Sequence, residues 1–247
     1  LQESFEKLPA GCTMLDVSDF GWCACLAASS LGAKHVLCVE SSFHPDLTKA
    51  AALVAQMGNS LPREGCHFEV LQCSIDALSL ATIGLTKPVD MLISDTYNRV
   101  LEGWHIQEAF LFHTACSLLQ QRGVISSTSV ILPTSWQVCV MAIECNQLAN
   151  AYTSKDTVAG FNHTHIVEQA GGGFCSNDLC IQHIEYDHKS LTAECTVLDT
   201  NFGDETDLSA EITLPVTAEG TFHAVSYWVT YNSIEGLCPS ERRYLRF

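Results

Sequence analysis

The sequence predicts an α/β fold in two parts: a parallel sheet layered with helices over residues 1–132, then a β half over residues 133–247. Two observations predict it. In the first part short β-rich runs alternate with helical patterns, and central runs such as VDMLIS and HVLCVE are largely apolar, as in strands buried on both faces. After Leu132-Pro133 the runs alternate apolar and polar residues instead. That is the period of half-buried antiparallel strands.

Each element has its own cause. Residues 13–17, 35–40, 67–72, 89–94 and 124–132 are short β-rich runs. Residues 22–31 are Ala- and Leu-rich and end at Gly32, a residue suited to the left-handed position after a helix. Residues 45–57 begin with Pro in the first turn and stop before Gly58. Residues 103–121 form the longest helical pattern, with Gly123 following. In the second part, 136–145, 179–186, 191–198, 209–214 and 222–231 read as strands. Turn-forming clusters separate them, among them Gly171-Gly172-Gly173 and Asn201-Phe202-Gly203-Asp204.

Composition narrows the function. With 247 residues, 47% hydrophobic and 16% charged, the chain is long and apolar enough for a sizeable core. The 28 acidic residues against 12 basic ones give a net charge of −16, which repels a phosphate backbone and argues against direct nucleic-acid binding. It suits a basic partner such as an arginine-rich peptide; solubility alone is the plainer reading. No apolar run is long enough to span a membrane. The opening LQESFEKLPAG has neither a basic start nor an apolar stretch, so no signal peptide is expected. The first residue is not Met, in keeping with a piece of a longer chain. Thirteen cysteines lie in apolar segments such as WCACLAAS and VCVMAIEC, and read as buried, reduced thiols of a cytoplasmic and/or nuclear protein.

Several chemistries lack their residues. His163-Thr164-His165 with Cys175 and Cys180 has no CxxC pair, so no metal is expected. Neither a Gly-x-Ser-x-Gly elbow nor a P-loop lysine occurs. Arg242-Arg243 with Arg246 is a short basic cluster in an acidic chain, and reads as a solvated or interface patch.

One run carries more. MLDVSDFGWCACLAASSLGAKHVLCVE resembles, without a gap, the first cofactor motif of protein arginine methyltransferases, through Asp16, Gly32-Ala33-Lys34-His35-Val36 and Glu40. Residues 89–95, VDMLISD, are similar to that family's fourth strand. Gly123-Val124-Ile125 and Leu132-Pro133 are similar to its fifth strand and its passage into the second half, and Gly160-Phe161-Asn162 to its Gly-Phe-Asp. The resemblance spans nearly the whole chain. It is strongest to the degenerate second module of members that carry two modules in tandem. It implies a Rossmann-like class I methyltransferase domain over 1–132. A mostly antiparallel β-barrel over 133–247 is implied next, with a short dimerisation-arm-like segment near 145–175.

The resemblance also says where a site should lie. The family's three cofactor-turn glycines fall at Ser18, Phe20 and Trp22, with Gly21 one place out of register. A Cβ is a steric fault where backbone must approach S-adenosylmethionine, and Trp22 is expected to fill the place of the absent cofactor. Asp16 and Glu40 remain as residual cofactor-binding positions. The family's guanidinium clamp needs two glutamates, because a planar cation is oriented by paired carboxylates. Those positions are Asp95 and Trp104 here, with Glu102 nearby. The family's Thr-His-Trp loop falls on Glu241 and Arg242. No catalytic residue is therefore expected.

The expectation is a non-catalytic pseudo-methyltransferase module that binds no cofactor itself. It would pack, as family subunits pack in a dimer, against the catalytic module of the same chain. The resemblance implies that the parent methylates arginines of RNA-processing proteins, with monomethylated or symmetric products. Two alternatives stand beside it: an active S-adenosylmethionine-dependent methyltransferase with a remodelled pocket, and an acidic substrate-recruiting module.

Overall fold

The computed structural model describes residues 11–17, 33–40, 56, 66–94, 105–147, 149, 157–162, 164–165, 178–179, 187–232 and 243–246. The first part holds strands β1 (Thr13–Asp16), β2 (His35–Glu40), β3 (His67–Gln72), β4 (Met91–Ile93) and β5 (Val130–Leu132). They form one parallel sheet in the order β3-β2-β1-β4-β5. Strands β1, β2 and β4 are buried at nearly every described position, which suits a sheet covered on both faces. One face gathers Met14, Val36, Cys38, Phe68, Met91 and Ile93. The other presents Leu15, Leu37 and Leu92 to helix α1 (His105–Gln121).

Helix α1 buries Ala109, Phe112, Cys116 and Leu119, spaced three or four residues apart along one stripe. Its end explains Gly123. The Gly123 N–H donates to the Gln120 carbonyl at 2.9 Å and the Val124 N–H to the Leu119 carbonyl at 2.9 Å. Gly123 has φ +68°. These are the two bonds and the left-handed residue of a Schellman cap.

The run 124–132 is strand only over Val130–Leu132. Ser126, Thr128 and Ser129 close a local turn instead: the Ser126 N–H donates to Ser129 Oγ at 2.9 Å, and Ser129 Oγ donates to the Val89 carbonyl at 2.6 Å. Hydroxyls that satisfy nearby main chain compete with a ladder, and here they win. Of the helices expected over 22–31 and 45–57, only Gln56 lies inside the described residues, and it is helical.

The second part is built on β6 (Ser135–Glu144), which pairs antiparallel with β10 (Lys189–Ser190), β11 (Cys195–Asn201) and β12 (Ala224–Asn232). Beyond β12 come β13 (Arg243–Arg246) and β9 (Asp178–Leu179), also antiparallel. A separate hairpin joins β7 (Thr157–Val158) to β8 (Phe161–Asn162). Its two turn residues, Ala159 at φ +51° and Gly160 at φ +83°, give the positive dihedrals of a type I′ turn. The described strands form an antiparallel sheet; a barrel would take in segments outside them.

Two strand expectations need correction. Residues 191–194 are not strand, because Thr192 Oγ1 takes the Ala142 N–H at 3.0 Å in place of a ladder carbonyl. Residues 209–214 are not strand either: they pair with no neighbour among the described residues, and Ile212 stays 38% exposed. An alternating pattern makes a strand only where a face is available to cover it.

The two parts share one core. Trp136 and Val138 of β6, Phe202 after β11, and Val229 and Tyr231 of β12 pack with Phe112, Cys116 and Leu119 of α1. Phe202 stacks on Trp136 and Tyr231, with ring centroids 6.1 and 6.4 Å away.

Candidate functional site

In an open parallel sheet, ligands bind outside the carboxyl ends of the strands where strand order reverses. The order here reverses at β1, which lies between β2 and β4. Asp16 ends β1, in register with Cys38 of β2 and Ile93 of β4. Glu40 stands two residues beyond Cys38, at the end of β2. Asp95 follows two residues beyond Ile93. The topology thus brings Asp16, Glu40 and Ser94 to the carboxyl edge of one sheet. Local bonds hold that edge: the Val17 N–H donates to the Ile93 carbonyl at 3.0 Å, and the Ser94 N–H to the Leu132 carbonyl at 2.9 Å.

Asp16 is described in full. It has no solvent exposure, lies on the face that carries Met14 and Cys38, and already has an interaction partner inside the protein. Glu40 is described in its main chain only. Ser18, Phe20, Trp22, Asp95, Glu102, Trp104, Glu241 and Arg242 lie outside the described residues. Glu241 and Arg242 directly precede β13, whose Arg243 pairs with Trp228 of β12.

In the sequence Ser18, Phe20 and Trp22 take the positions at which the resemblance expects glycine, and Asp16 is fully buried. Among the described residues, no group of three or more His, Cys, Asp or Glu side chains is arranged to hold a metal ion. Among the described residues Cys12, Cys38, Cys66, Cys73, Cys116, Cys139, Cys145 and Cys195 form no disulfide. Burial raises the thiol pKa of Cys12, Cys73, Cys116 and Cys139, which favours the protonated form.

A polar group inside the shared core escaped the sequence reading. His113 is buried on α1, and Trp136 Nε1 donates to its Nδ1 at 3.4 Å. Desolvation lowers its pKa, while a hydrogen bond to the Asp204 main chain and the charge of Asp204 pull the other way. The acceptor role of Nδ1 places the ring proton on Nε2, so His113 is neutral. Its signal was available: His113 follows Ala109 by four residues and precedes Cys116 by three, on the buried stripe.

No family model matches the chain, and no curated protein does. Solved structures do. The Trypanosoma brucei PRMT1 enzyme–prozyme heterotetrameric complex with AdoHcy matches with a TM-score of 0.65 and 16% identity, over 96% of this chain and 72% of that one. Arabidopsis thaliana protein arginine methyltransferase 10, in a uniquely open conformation, matches with a TM-score of 0.60 and 15% identity, over 96% of this chain and 74% of that one. At such identities the likeness is one of fold: this chain has the Rossmann-like methyltransferase fold of those proteins, followed by an antiparallel β half.

Proposed function

We propose that this chain is a non-catalytic pseudo-methyltransferase module of a protein arginine N-methyltransferase, of the kind that forms the second module of protein arginine methyltransferase nine. One observation carries the reading. The sequence that follows β1, the strand at which the sheet order reverses, carries Ser18, Phe20 and Trp22 where the family's cofactor motif has glycine. The clamp positions Asp95 and Trp104, and the loop positions Glu241 and Arg242, depart from the family chemistry in the same direction. Three separate parts of one site have diverged together. Selection on a methyl-transfer step would have held at least one.

In this reading the module acts by packing. Residues 1–132 and 133–247 keep the shape of a family subunit, and the segment near 145–175 acts as the arm. The module covers the catalytic module of its own chain as a second subunit would. That catalytic module transfers methyl groups from S-adenosylmethionine to arginines of RNA-processing proteins, in the cytoplasm or nucleus. Shape and buried apolar area are the instruments of such support.

The test has two arms. Titration of this chain with S-adenosylhomocysteine should give no heat and no thermal stabilisation at millimolar ligand. Removal of the module from the parent chain should abolish methyl transfer. Micromolar binding in the first arm would instead support an active enzyme with a remodelled pocket. Full activity after clean removal would end the packing role.

A further inference from the structure

The segment after Phe202 is unlike the rest of the chain. Residues 204–215 run without a turn or bend, and all but Leu208 and Leu214 are exposed. From Ala210 to Pro215 the main chain makes no hydrogen bond among the described residues. Yet the segment is pinned at both ends. Phe202 sits in the aromatic core, Thr200 Oγ1 and Thr206 Oγ1 lie 2.9 Å apart, and Leu208 packs on that core. At the far end Val216 bridges to Thr192, and the Thr217 N–H donates to the Leu191 carbonyl at 2.8 Å.

Its side chains add two features. Ile212, Val216 and Phe222 are 38%, 75% and 61% exposed, and account for most of the large exposed apolar side chains among the described residues. Asp204, Glu205, Asp207, Glu211 and Glu219 are acidic, and no Lys or Arg occurs between 201 and 223. An exposed segment held at both ends, with main chain unpaired among the described residues from Ala210 to Leu214, is a template for another strand. Its charge selects the strand. A second copy would bring acidic residues against acidic residues, and a nucleic acid would be repelled in the same way.

We propose that residues 207–216 form a docking edge for a basic, extended peptide, which adds to it as a strand. The peptide's main chain pairs with that of Ala210–Leu214. Its Arg or Lys side chains face Asp207 and Glu211, and its apolar side chains cover Ile212 and Val216. The inference concerns a surface apart from the carboxyl edge of the parallel sheet, so it stands or falls independently of the cofactor question.

The probe is a fluorescein-labelled peptide of alternating Arg and Val, about ten residues long to match a strand of ordinary length. Anisotropy with the intact chain should show saturable binding that weakens as salt is raised. The pair Asp207→Lys with Glu211→Lys should weaken it by about tenfold or more, the scale of losing charge pairs across an interface. Ile212→Ser should weaken it less. All three positions are exposed, so a matching thermal transition will confirm that each variant is folded. Two further peptides, N-methylated on alternate amides in the two registers, separate strand pairing from plain charge attraction. One of them should lose binding. No binding by the wild-type chain, equal binding by the charge-reversed variant, or unchanged binding of both methylated peptides would each overturn the proposal.

Discussion

Phe202 and Glu205 are three residues apart, and they belong to two different regimes. Phe202 is buried among Trp136, His113, Phe112 and Tyr231, where both parts of the chain contribute to one aromatic core. Glu205 begins a stretch that gives the core only Leu208 and leaves the rest to solvent. The core region is over-determined: its rings are held by one another, and Trp136 Nε1 and His113 Nδ1 among them are paired. The neighbouring segment is determined at its ends and free along its edge. The first kind of region makes the two parts one body; the second leaves a surface for something else.

Substitutions sharpen that contrast. Trp136→Ala should have the largest effect, about 3–5 kcal/mol, because it opens a large cavity and removes the donor to His113. Urea unfolding measures it. If the parallel sheet kept its transition while only the antiparallel sheet melted, the core would not be shared. The pH dependence comes next. The pKa of His113 is lowered, so the unfolded chain binds the proton more readily than the native one. Stability should hold above the ordinary histidine range and fall as pH drops through about 6.5, by no more than about 1.4 kcal/mol per pH unit for one proton. Protonation at Nδ1 would set two N–H donors face to face with Trp136. His113→Gln should flatten this part of the profile; an unchanged slope would assign it to other groups. The smallest effect belongs to the exposed segment. Glu211→Lys should change stability by less than about 0.5 kcal/mol, as surface substitutions do. A larger loss would show that the segment is part of the body after all.

The parallel part was legible because its strands are buried on both faces. Residues 35–40 and 67–72 fall where the apolar runs place them, and the burial of Leu15, Leu37 and Leu92 follows from hydrophobicity alone. The antiparallel part was less so. A period of two does not say which alternating run will find a neighbour: among the described residues Ser135–Glu144 found three, and 209–214 found none. The turn at Ser126–Ser129 was hidden because side-chain hydroxyls, not the apolar pattern, decide it. Of the candidate site, the sheet edge was readable from strand order. The burial of Asp16 was not, because an acidic residue at a strand end reads the same whether it turns inward or outward.

Strand β6 lies beside β12, and Trp136 sits opposite Tyr231. About 95 residues of chain separate these partners, a long loop to close before either is rewarded. On a ribosome adding roughly 5–20 residues each second, Trp136 and the apolar stripe of α1 wait several seconds or more for Tyr231 to emerge. During that time the first part is complete in sequence but uncovered along one side. A nascent chain of this design has reason to be held by a chaperone, and a product truncated before β12 would meet the cell as an exposed aromatic surface.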